Sequence, residues 1–168
     1  MLRGYLFCLA LYLVGGLGLL GSAMAAPDFS GTWIRDKTKS DPLGTIGRLE
    51  GGQPPDIEVT LRVKQEANKL QVVTKRADRG TSEAKYTLDG KEHTFSRGGG
   101  RLLIYRSKWD MDKLIIEKTG RYPGNYGDME FKSKEEWSLS EGGKALTVTT
   151  TYSGQQANRR MRQVYDRQ

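Results

Sequence analysis

The chain has 168 residues, with 27 Lys or Arg against 20 Asp or Glu, one His and one Cys. One histidine and one cysteine leave no disulfide and no zinc site of the usual ligand types. The net charge of +7 favours anionic partners, and the length suits one domain around one core.

The first 25 residues stand apart. Arg3 precedes an apolar run over 6–20, and Ala23-Met24-Ala25 places small residues where a signal peptidase reads. This order is that of a secretory signal peptide. The run is short and glycine-interrupted for a retained membrane span, and Cys8 has no lipobox around it. The expectation is an exported protein, periplasmic or extracellular, whose single domain covers 26–168. That segment has no cysteine, so its core alone must hold it together.

From there the dominant signal is alternation with a period of two, which predicts half-buried strands. Residues 30–34 open the series. Over 56–65, Ile57, Val59, Leu61 and Val63 share one face, and a turn at 66–69 leads into 70–74. Ala84, Tyr86 and Leu88 fall together, and Asp89-Gly90 then predicts a tight hairpin to a short return strand over 91–96. In 101–109 the more aromatic face carries Leu103, Tyr105, Ser107 and Trp109. A turn at 110–113 leads to 114–119. Strand 130–140 aligns Phe131, Ser133, Glu135, Trp137 and Leu139, strand 145–152 aligns Leu146, Val148 and Tyr152, and 159–167 ends the chain. About ten short strands in sequence order predict an all-β, antiparallel up-and-down barrel of about 8–10 strands, since closure removes exposed edges. Three stretches break the rhythm: the long connection 36–55, the Gly98-Gly99-Gly100 tip, and 120–128 with its glycines, Pro123, Tyr122 and Tyr126.

The segment Asp28-Phe29-Ser30-Gly31-Thr32-Trp33 resembles the opening of lipocalins and the wider calycin group, and its Phe-x-Gly-x-Trp spacing is also that of fatty-acid-binding proteins. The chain is likewise similar to small exported bacterial proteins of uncharacterised function that begin with this segment. The resemblance implies that Gly31 and Trp33 are structural, closing one end of a barrel. It also implies an Arg from the C-terminal strand packed over the Trp, with Arg159, Arg160, Arg162 and Arg167 as candidates. The Thr-Asp-Tyr segment of true lipocalins is missing. So is the helical lid of fatty-acid-binding proteins, whose paired Arg and Tyr occur here in reverse order, as Tyr165-x-Arg167.

If the apolar faces point inward, a barrel of this size has room for side chains and one small ligand. Tyr86, Tyr105, Trp109, Glu135, Trp137, Tyr152, Tyr165 and Arg167 are then the candidate ligand-binding residues. Glu135 is the sharpest, because a regular strand turns it inward, where a carboxylate needs a cation. Arg167 and Arg106 are the candidates for that partner; the structural alternatives to a ligand anchor are a bulge that sends Glu135 to solvent and a closed internal salt bridge. Catalysis lacks its usual parts: no nucleophile elbow, no Ser-x-x-Lys pair, no phosphate loop and a lone His93. No catalytic residue, metal or cofactor is assigned. The expectation is a binding protein for a small amphipathic or aromatic molecule, monomeric or weakly oligomeric and without nucleic-acid partners. The alternative is a filled barrel whose basic rim and Gly-rich loops contact anionic envelope components.

Overall fold

Alternating apolar and polar side chains segregate onto the two faces of a pleat, so each alternating segment here gains by burying one face. The computed structural model describes residues 26–43, 57–96, 102–124, 127–153 and 158–168; residues 1–25, expected to be a signal peptide, the Gly98–Gly100 tip and the 44–55 part of the long connection lie outside the described residues. Ten strands form: β1 (Gly31–Arg35), β2 (Val59–Glu66), β3 (Lys69–Arg76), β4 (Gly80–Thr87), β5 (Glu92–Ser96), β6 (Leu102–Asp110), β7 (Lys113–Gly124), β8 (Gly127–Leu139), β9 (Ala145–Ser153) and β10 (Arg159–Arg167). They make one antiparallel sheet in the order β4-β3-β2-β1-β10-β9-β8-β7-β6-β5. First and last strands lie side by side, which closes the meander into a barrel and leaves β4 and β5 as the two edges of a seam.

That seam corrects one expectation. Asp89-Gly90 does turn tightly, with Gly90 at φ 72°, but the strands it joins do not pair with each other. The backbone bonds at the turn go elsewhere: Leu88 donates to Asn68 O at 2.6 Å and Gly90 to Ser107 O at 2.9 Å. β4 stays on β3 while β5 swings over to β6, where Glu92 lies opposite Arg106. A second correction concerns 120–128. Pairing of β7 with β8 runs from Gly120 opposite Phe131 to Gly124 opposite Gly127, so this stretch prolongs a hairpin. The described pairing of β7 with β6 ends at Arg121.

The barrel floor is built from the resemblance-bearing segment. Phe29 and Trp33 are fully buried, and the Trp33 indole N–H donates to Phe29 O at 2.9 Å. The Phe29 ring stacks on Trp109 at 5.8 Å and meets Trp137 edge-on at 5.9 Å. Of the four candidate arginines, Arg167 is the one over Trp33, its guanidinium 4.6 Å from the ring, where it also donates to Asp28 O and Ser30 O. Gly31 has φ 140°, a conformation that disfavours any side chain, and a Cβ there would face Arg167 and the Trp33 ring.

β1 is only five residues long, so above Arg35 the sheet would have a second opening between β10 and β2. Residues 36–43 fill it. Asp36 and Asp41 donate backbone N–H bonds to Val164 O and Arg162 O, both at 2.8 Å. In return Arg162 N–H reaches the Asp41 carboxylate at 2.6 Å and Val164 N–H the Ser40 hydroxyl at 2.9 Å. Beneath them Arg35, 6% exposed, donates to Gln163 Oε1 at 2.5 Å, Asp41 O at 2.8 Å and Ile57 O at 3.4 Å. Leu43 and Ile57 are buried in the main core.

Candidate functional site

β6, β7 and β8 carry the site, because their register stacks inward residues in layers. Trp109, Leu114 and Trp137 form the floor layer, followed by Ser107, Ile116 and Glu135, then Tyr105, Lys118 and Ser133. Leu103, Gly120 and Phe131 make the rim. The interior thus passes from apolar through polar back to apolar. At the rim a Cβ on Gly120 would collide with the Phe131 ring, so the missing side chain is what lets that ring lie across the strand.

Lys118 and Glu135 centre the polar layers. The Lys118 ammonium donates to Glu135 Oε1 at 2.5 Å, and the other carboxylate oxygen accepts from the Trp137 indole N–H at 3.1 Å. Lys118 Nζ also lies 5.1 Å from the centre of the Tyr86 ring. Burial by itself would lower the lysine's pKa, but the adjacent Glu135 carboxylate, and then Tyr86, hold it above the ordinary value. Lys118 is therefore a protonated ammonium across the physiological range. Glu135 does point inward, but its partner is neither of the two expected cations. Arg167 is taken up by Trp33, and Arg106 faces out to Glu92 at 3.1 Å. The register of β7 against β8 puts Lys118 one step along the neighbouring strand instead.

Above this pair a cavity of about 650 Å³ opens at the β4–β5 seam. Tyr86 and Ala84 of β4 face Phe95 of β5, and Leu102, Leu103 and Tyr105 of β6 join Lys118, Arg121 and Phe131 on the far wall. Tyr86 meets Tyr105 edge-on at 5.3 Å, and the His93 ring stacks on Tyr105, also at 5.3 Å, while bonding Asp89 at 2.9 Å. Phe95, Leu102 and Phe131 are 51%, 37% and 36% exposed, so the mouth is apolar.

The eight candidate residues separate. Tyr86 and Tyr105 line the cavity, and Glu135 meets Lys118, which lines it. Trp109 and Trp137 belong with Phe29 in the floor cluster. Tyr165 is buried opposite Arg35, its hydroxyl pKa pushed up to about 12 by burial. Arg167 packs against the floor, and Tyr152, opposite Ser133 on β9, is 39% exposed and outside the cavity lining. Sequence reasoning missed Lys118, Phe95 and Phe131 as a group. Lys118 carried a readable signal, since it is in phase with Leu114 and Ile116, but Ile115 made both faces of that strand look apolar.

No protein-family model matches the chain, and no curated protein matches it. Solved structures do. Zebrafish ileal bile acid-binding protein complexed with cholic acid aligns with TM-score 0.57 at 18% identity, over 83% of this chain and 98% of that one. A secretory abundant heat soluble protein of Ramazzottius varieornatus gives 0.57 at 12%, over 83% and 95%. Fatty-acid-binding protein 1 of Echinococcus granulosus gives 0.55 at 14%, over 83% and 96%. At these identities the likeness is one of fold: the described residues form an all-β, ten-stranded antiparallel barrel similar to those of these three proteins.

Proposed function

We propose that the protein is an exported, single-domain binding protein, working in the periplasm or outside the cell, which holds a small amphipathic molecule in the barrel cavity. The observation that carries this reading is the 650 Å³ space itself, with an apolar rim of Phe95, Leu103 and Phe131 above the polar layer of Tyr86, Tyr105 and Lys118. That volume suits a small organic ligand, and an apolar wall with a few placed polar groups is the usual chemistry of such sites. The names of two structural neighbours, a fatty-acid-binding protein and a bile acid-binding protein seen with cholic acid, support the same use of the barrel. Access runs through the seam, where no strand among the described residues spans the cavity and where its exposed apolar side chains lie.

Native mass spectrometry of the protein, purified without detergent from the cells that make it, tests the reading. A reproducible excess mass that disappears on denaturation is expected, and it would identify the ligand. A bare mass together with failure to take up a neutral apolar dye such as Nile red would contradict it and favour a filled barrel.

A further inference from the structure

The charges around the cavity bear on what kind of head group it accepts, an inference that rests on the cavity being a ligand site. Among the described residues three cations line it, and each is held by a carboxylate: Lys118 by Glu135 at 2.5 Å, Arg121 by Glu130 at 2.7 Å and Lys85 by Glu83 at 3.0 Å. The outer two pairs are solvated. Lys118 and Glu135 are not, with side chains only 15% and 18% exposed. A ligand carboxylate reaching Lys118 would face a second carboxylate across one ammonium, and like charges in a poorly solvated site force one of them to protonate or leave. An ammonium has three N–H donors, of which Glu135 Oε1 takes one and the Tyr86 hydroxyl a second, and that hydroxyl can itself donate. Those groups suit an acceptor oxygen that brings no charge.

We infer that the cavity selects uncharged amphiphiles with an acceptor oxygen, such as long-chain alcohols and glyceride esters, over the matching carboxylates. Lys118 and Tyr86 hydrogen-bond the head group and Glu135 acts as the built-in counter-ion that turns anions away. The apolar chain of the ligand lies toward Phe95, Leu103 and Phe131 at the seam.

Displacement of Nile red from the protein by monolauroylglycerol and by laurate, two competitors with the same chain, tests this. Near neutral pH the glyceride should displace the dye at concentrations about 10-fold or more below those laurate needs, the ratio set by one uncompensated charge in a poorly solvated site. Glu135→Gln should reverse the order, because it leaves Lys118 without its counter-ion. Without any variant, laurate should approach the glyceride as the pH is lowered and its own carboxyl takes up a proton. Equal or stronger displacement by laurate near neutral pH would overturn the selectivity while leaving the cavity as a ligand site. Dye uptake with displacement by neither would overturn the selectivity for these chains, and no dye uptake at all would remove the cavity reading with it.

Discussion

The barrel has two places where its sheet falls short, and they are resolved in opposite ways. Between β10 and β2 the short first strand leaves a gap that residues 36–43 fill, stitched to β10 by backbone and side-chain hydrogen bonds and pinned from beneath by Arg35. Between β4 and β5 nothing spans the gap among the described residues, and Phe95, Leu102 and Phe131 surround it with exposed apolar surface. The same defect, a missing stretch of ladder, becomes part of the core in one place and a mouth in the other. At the filled seam residues 36–43 meet the N–H and C=O groups of β10, whereas at the open seam the turn residues Leu88 and Gly90 bond to Asn68 and Ser107, so that β4 and β5 follow different neighbours.

The floor below both seams should be the most sensitive point. Trp33→Ala removes a fully buried indole and its bond to Phe29, and should cost about 3–5 kcal/mol in denaturant titrations. A melt near the wild-type temperature would show that the floor is not what holds the two seams in place. At the filled seam, Arg35→Met removes the donor to Gln163 Oε1 and Ile57 O, and one of the two donors to Asp41 O, and should destabilise by about 1–3 kcal/mol. Uptake of an apolar dye should be unchanged, since Arg35 is not part of the cavity lining. At the open seam the pattern inverts. Phe95→Ala truncates a half-exposed ring, so stability should move by no more than about 0.5 kcal/mol. Dye affinity should fall several-fold, corresponding to about 1 kcal/mol of lost apolar contact. A large stability loss there with no change in affinity would erase the contrast between the seams.

The smallest effect concerns pH. Burial pushes the Tyr165 hydroxyl from its ordinary 10.0 up to about 12 in the folded state. Between those values the unfolded chain has lost a proton that the folded one keeps, so stability should fall as pH rises through that window. The melting temperature should therefore decline above about pH 10, and Tyr165→Phe should soften the decline. An unchanged profile in that variant would mean that the filled side of the barrel admits solvent.

Much of this architecture is legible in the amino-acid order. Alternation located the strands, β10 to the residue, because a half-buried strand imposes a two-residue period on its own sequence. Inward placement of Glu135, and the need for a cation beside it, also followed from phase. The identity of that cation did not, since it depends on the register between β7 and β8, a property of two strands together. The β4–β5 seam was hidden for a related reason. Asp89-Gly90 encodes a turn, but whether the flanking strands pair depends on what each finds on its other side. Phe95 and Phe131 sit far apart in sequence and meet only because the seam brings the β5 and β8 ends to one mouth.

The most direct test of the account is an amide NMR titration of the protein with Nile red. Shifts concentrated on Ala84, Tyr86, Leu103, Tyr105 and Lys118, with residues 36–43 unmoved, are predicted. Shifts concentrated on 36–43 and β10, or spread weakly over the outer surface, would contradict the claim that the open seam leads into the binding cavity.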